Sequence, residues 1–199
     1  MDAITLMKLE RLPVVRVPIS ALVAADSPRR AGEDPEHART LAESGEPLPP
    51  IVVHRPTMRV IDGMHRLRAA GLCGRTDIEV RFVDGDEASS FVLAVSENVR
   101  HGLPLSLADR KAAAERIIRS YPHWSDRMVG SVTCLSGKTV SAIRQRIREA
   151  SGVEQPMATV GRDGRFRPRD GAQRREIARG LMLADPRASL RQIARQAGI

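Results

Sequence analysis

The chain has 199 residues, with 32 Lys+Arg against 24 Asp+Glu and a formal net charge of +8. No apolar run approaches the roughly 18 residues of a membrane span. Met1–Glu10 lacks the basic start and long apolar stretch of a secretory signal. Two cysteines, Cys73 and Cys134, are too few for a disulfide framework, and the chain reads as cytoplasmic. The charge is uneven: residues 1–99 hold 12 Lys+Arg and 15 Asp+Glu, net −3, whereas residues 100–199 hold 20 and 9, net +11. A near-neutral half joined to a basic half points to a polyanion-binding part attached to something else; a merely soluble basic surface is the alternative.

Residues 1–100 read as one mixed α/β domain. Val14–Val17 is a β-rich run. Pro35–Ser44 carries Ala and Leu at helical spacing and ends at Gly45. Ile51–His54 and Arg59–Asp62 are strand-like, with Pro56-Thr57 marking a hairpin. Met64–Leu72 is a short helix between Gly63 and Gly74. Ile78–Val83 alternates, with Ile78, Val80 and Phe82 on one face, and Glu87–Val99 is a helix with Phe91, Val92 and Val95 inward.

From residue 101 the pattern is helical. Ser106 caps a helix running to about Tyr121, with Leu107, Ala114, Ile117 and Ile118 facing a core, and Pro122 stops it. Ser125 caps Asp126–Thr133, and Ser136 caps Gly137 to about Ala150. These elements form a second region, 101–152. In a third, 153–199, residues 152–171 are a linker or small hairpin, followed by helices at 172–184 and 189–197. The fold class is thus α+β: a small α/β domain followed by an all-helical region.

Residues 126–148 carry the most mechanistic pattern. Two short helices packed steeply around a tight turn need a small residue in the first helix, a flexible one at the turn and apolar residues in the second. Gly130, Cys134 (where glycine is usual), and Leu135, Val140 and Ile143 meet these needs, while Thr133 holds a position that is usually apolar. Gly137, Lys138, Thr139, Ser141, Arg144, Gln145 and Arg148 are expected to face outward, as phosphate- and base-contacting types. With the cap Ser136 and with Arg127, which like Arg146 and the basic 162–179 segment mostly meets phosphate, they make the expected site on double-stranded DNA. A helical hairpin with a solvated basic face is the alternative. Ala194 and Gly198, flanked by Ile193 and Ile199, start a second such motif whose recognition helix is missing, so the chain is expected to be a fragment. Trp124 reads as a core or staple residue. Aromatics at 3% disfavour single-strand stacking. No zinc-type spacing exists, so no metal site is expected.

Arg59–Ala70 reads strand, glycine turn, helix start. A helix N-terminus suits phosphate. Gly63 permits close backbone approach, and His65 and Arg66 add two phosphate-capable side chains. A surface turn whose Arg66 pairs with a local carboxylate is the alternative. This stretch resembles the Gly-Glu-Arg-Arg box of the ParB N-terminal-domain (ParB/sulfiredoxin-fold) superfamily. Gly45–Val53 resembles its first box, and Ser96-Glu97-Asn98-Val99-Arg100 its third, followed by Leu105–Asp109; together the resemblance covers about residues 12–150. Asp62–Ala70, His101–Arg110, Trp124–Arg127 and the tail 160–165 look closest to the StrR-type pathway-specific activators of antibiotic biosynthesis. The resemblance implies a homodimeric, nucleoid-associated transcriptional activator. It also implies a nucleotide site for CTP (or ATP) with Mg²⁺ at Gly63, His65, Arg66, Glu97, Asn98 and Arg100. Met64 and His65 depart from the box's glutamate and first arginine, which bears on CTP hydrolysis. Met64 also lacks the thiol of the sulfiredoxin Gly-Cys-His-Arg element. The alternative functions are a ParB-type CTPase clamp, a ParB-fold small-molecule kinase, or an adaptor binding an acidic protein.

Overall fold

Ile51-Val52-Val53 is apolar at every position, which suits a strand covered on both faces. The computed structural model places it there. It describes residues 9–29, 32, 34–100, 104–151, 158–161, 164–168 and 171–197. Its elements in chain order are β1 (Val14–Pro18), α1 (Pro35–Glu43), β2 (Ile51–His54), β3 (Arg59–Asp62), α2 (Met64–Leu72), β4 (Asp77–Val83), α3 (Glu87–Arg100), α4 (Leu107–Ser120), α5 (Asp126–Thr133), α6 (Gly137–Ser151), β5 (Ala158–Val160), β6 (Phe166–Pro168), α7 (Gly171–Ala184) and α8 (Leu190–Ala197). The chain divides into two compact units. One is Met1–Ala113 with Val132–Cys134, and the other is Ala114–Ser131 with Leu135–Ile199.

The first unit is built on a four-stranded sheet of order β1-β4-β2-β3. β4 runs antiparallel to β1 and parallel to β2, and β2 is antiparallel to β3 with a register shift at Val52/Val53. One face buries Val17, Ile51, Val53, Val60 and Val80 against Met64 and Leu67 of α2, with Ile78 and Phe82 on the same side. The other buries Leu9, Val52 and Ile61 under Leu93 and Ala94 of α3. α1 packs on α2. It starts at Asp34, whose carboxylate accepts from the amides of Glu36 and His37. His54 is buried beside the β2–β3 turn. Its Nε2 faces the Gly85 carbonyl at 3.0 Å and must donate there, so its Nδ1 accepts from the Thr57 hydroxyl at 2.7 Å.

α4 begins with a reciprocal cap. The Asp109 amide donates to Ser106 Oγ at 3.1 Å, and the Ser106 amide and hydroxyl donate to Asp109 Oδ2 at 3.2 and 2.6 Å. Ala114, Ile117 and Ile118 are buried as expected, but Leu107, at the first helical position, is exposed. In the second unit Trp124, Val129, Val140 and Ile143 are buried, and Trp124 stacks on Tyr121 with ring centroids 4.6 Å apart. Of the linker or small hairpin expected at 152–171, the structure forms the hairpin: β5 and β6 pair antiparallel. α8 buries Ile193 and Ala197; Gly198 and Ile199, invoked for a second DNA-binding motif, lie outside the described residues.

Candidate nucleic-acid interface

The α5–turn–α6 pair is held by backbone contacts that only certain residues allow. A Cβ on Gly130 would lie 2.5 Å from the Leu135 carbonyl oxygen, so no side chain fits there. The Leu135 amide donates to the Gly130 carbonyl at 3.1 Å and closes the turn. Cys134 supplies the reversal at φ +53, a left-handed conformation costing roughly 1–2 kcal/mol in a residue with a Cβ. Its carbonyl accepts from Arg110 Nη1 at 2.9 Å. Ser125 Oγ accepts from the Met128 amide and Ser136 Oγ from the Thr139 amide, so each helix carries an N-terminal cap.

The structure separates the expected contact residues into two groups. Lys138, Ser141, Gln145 and Arg148 are exposed, and at spacings of 3, 4 and 3 they line one stripe of α6. Arg127, in the first turn of α5, and Arg146 are also exposed. Gln145 Nε2 donates to Glu149 Oε1 at 3.0 Å. Ser136 and Thr139 serve the cap, their hydroxyls 2.8 Å apart.

Arg144 is a correction. It was expected on the outward face, but it is buried. Its Nε donates to Asp126 Oδ1 at 2.9 Å, its Nη1 to the Pro122 carbonyl at 3.0 Å and its Nη2 to the Trp124 carbonyl at 2.7 Å. The planar guanidinium matches three acceptors at once, which a buried charge requires. It clamps α6 to the segment entering α5.

The glycine turn of the first unit is equally well tied. Gly63 caps α2 at φ +102. A Cβ there would fall 2.5 Å from Ile51 Cγ2, so close packing on β2 demands the glycine. Arg66 Nη2 pairs with the Asp62 carboxylate, and Arg66 Nη1 donates to the carbonyls of Pro49 and Pro50 at 3.0 and 2.8 Å. His65 Nε2 accepts from the Asp34 amide at 3.1 Å, and its ring meets His37 edge-on at 5.0 Å. On α3, Asn98 Oδ1 accepts from Arg29 Nη2 at 3.2 Å, and Asn98 Nδ2 donates to the Ala94 carbonyl at 2.9 Å. Glu97 is half-buried. The side chain of Arg100 lies outside the described residues.

Residues 5–99 match the ParB N-terminal domain. It is 53% identical over 192 residues to the "Streptomycin biosynthesis operon possible regulatory protein" of Streptomyces griseus, covering 96% of this chain and 54% of that relative. It is 50% identical over 184 residues to the "Transcriptional regulator NovG" of Streptomyces niveus, covering 92% and 57%. The chain therefore spans a little over half the length of these relatives. A solved Pnob8-like ParB-N domain, 17% identical, superposes with a TM-score of 0.50 over 70% of each chain and shares the fold.

A nucleotide with Mg²⁺ is what the superfamily implies at the glycine turn. The residues as arranged do not fit it. The Gly63 cradle is filled by Ile51, Arg66 is engaged by a carboxylate and two carbonyls, and both ends of the Asn98 carboxamide are used. Among the described residues, no group of three or more His, Cys, Asp or Glu could hold a metal ion. A cavity of about 140 Å³ lies instead beside Asp26, His54, Arg59, Glu87, Ser90 and Phe91, and is lined by none of the expected nucleotide residues. His54 was missed in the sequence: a histidine ending an apolar strand looks like a surface residue, and its two partners are a turn hydroxyl and a carbonyl 31 residues away.

Proposed function

We propose that this chain is the DNA-binding part of a sequence-specific transcriptional activator of antibiotic biosynthesis, in which α5 and α6 form a helix-turn-helix and α6 enters the major groove. The observation that carries this reading is the stripe of Lys138, Ser141, Gln145 and Arg148, exposed on a helix that Arg144 clamps from behind. An exposed Gln presents the fork that pairs with adenine, and Lys and Arg suit guanine or phosphate. The net charge of +11 on residues 100–199 supplies the non-specific attraction. The regulatory names of the Streptomyces relatives support the same class. No helix among the described residues is long and apolar enough to cross a membrane, which accords with a cytoplasmic, nucleoid-associated protein. The active form is a homodimer that binds two half-sites related by a two-fold axis.

Selection of bound duplexes from a random-sequence pool, followed by footprinting, tests the reading. Enrichment of one sequence, protected as a pair of inverted half-sites, is expected. A bound pool no different from the input would refute sequence-specific reading, and a single protected half-site would refute the dimer.

A further inference from the structure

The segment Pro122–Ser125 is bonded along both of its edges. On one edge the carbonyls of Pro122 and Trp124 accept from Arg144 of α6. On the other, the His123 carbonyl accepts from the Val160 amide at 2.6 Å, and the Ser125 amide donates to the Val160 carbonyl at 2.9 Å. Residues 122 and 123 are a turn, closed by the Trp124 amide donating to the Tyr121 carbonyl at 3.0 Å. The carbonyls of 122 and 124 serve the helix, while 123 and 125 serve β5. Trp124 and Val160 form a parallel bridge. The β5–β6 hairpin is thus fastened to the same strip that holds α6.

The hairpin is antiparallel. β5 and β6 pair through Ala158↔Pro168, Thr159↔Arg167 and Val160↔Phe166. Its turn is tightened by the Gly161 amide donating to the Arg165 carbonyl at 2.9 Å, with Gly164 at φ +71. Because β5 runs parallel to the strip, the chain beyond Val160 leaves toward the end where Ser125 caps α5. Arg127, in the first turn of α5, is exposed at that end, and Arg165 is exposed in the hairpin turn. Positions 161–169 hold four arginines and a single aspartate. The order of elements is helix, strip, helix, helix, hairpin.

We infer that the β5–β6 hairpin is a wing, a second DNA-contacting element that sets Arg165 on the phosphate backbone flanking the groove entered by α6. Arginine binds phosphate through two parallel N–H donors and retains its charge at every relevant pH. The hairpin reaches the duplex in a fixed relation to α6 because both are bonded to residues 122–125. This inference rests on the proposed reading of α6, and the test separates the two.

The whole chain is titrated against two duplexes of equal length, one enriched by selection and one of unrelated sequence, between 50 and 200 mM salt. Arg165→Ala is expected to weaken binding to both duplexes by the same several-fold factor. Its plot of log K against log salt should be shallower by about 0.9, one phosphate contact. Arg165→Lys should recover most of that slope. Backbone protection outside the half-site should disappear in Arg165→Ala and persist in Gln145→Ala. If Arg165→Ala leaves slope and flanking protection unchanged while Gln145→Ala erases the sequence preference, the wing is overturned and the reading of α6 stands. If the native chain binds both duplexes equally, the reading of α6 falls and the wing with it. A lowered melting temperature in both Arg165 variants would make the residue structural and also overturn the wing.

Discussion

Removing the Arg144 guanidinium tests the clamp directly. In the native chain its side chain is 4% exposed and that of its partner Asp126 is 25% exposed. Arg144→Ala strands the carboxylate and deprives the carbonyls of Pro122 and Trp124 of their donors. Breaking a buried ion pair from one side costs about 3–5 kcal/mol. Asp126 retains partial access to water and sits at the start of a helix, where the dipole favours a negative charge. The lower end therefore applies, about 3 kcal/mol. Urea unfolding should show the midpoint falling with an unchanged m-value. In a double-mutant cycle with Asp126→Ala, the two losses should fail to add by about 2 kcal/mol. Below the unfolding transition, the salt slope of DNA binding should equal that of the native chain, because the guanidinium contacts no phosphate. If Arg144→Ala melted within about 0.5 kcal/mol of native yet lost its preference for the selected duplex, Arg144 would be a base reader and the clamp would be wrong.

Three further outcomes follow from the same contacts. Gln145→Ala should cost about 1–3 kcal/mol on the selected duplex and nothing on an unrelated one, whereas Lys138→Ala should weaken both and reduce the salt slope by about 1; affinities measured across salt distinguish them. Gly63→Ala should destabilise the chain by about 2–4 kcal/mol, from the left-handed φ and the collision with Ile51 Cγ2, and combining it with Ile51→Ala, which removes that methyl group, should cost less than the sum of the two single losses in the same unfolding assay. Calorimetry with CTP and Mg²⁺ at roughly 1 mM should give no binding heat, since the groups a phosphate would use already have protein partners; a saturating isotherm would show that the Arg66 and Asn98 contacts yield to the nucleotide.

Nearly every element of the first unit was legible from local chemistry. β2 declared itself by an unbroken apolar run, β4 by alternation, α1 by Ala and Leu at helical spacing, and α4 by Ser106 at its cap. The bland reading of the glycine turn, Arg66 paired with a local carboxylate, is what the structure contains at Asp62. Arg144 was misread because its chemistry was weighed above its position. It lies four residues after Val140 and one after Ile143, beside the buried stripe of α6, so the helical period already placed it inward. The β5–β6 hairpin stayed open between linker and strand because its first strand is completed by residues near 124, more than 30 positions earlier. Such a register leaves no local signature.

The strand order has a consequence for synthesis. β1 pairs with β4, Val14 opposite Arg81 and Pro18 opposite Asp77, so β1 has its partner about 60 residues behind it in synthesis. β2 and β3 can close as a hairpin while β1 waits, with Val17, which the finished sheet buries, uncovered. A waiting apolar edge is a template for unwanted pairing. Slowing translation between codons 18 and 77 should lengthen that exposure, which makes the nascent chain most dependent on chaperones just before β4 emerges.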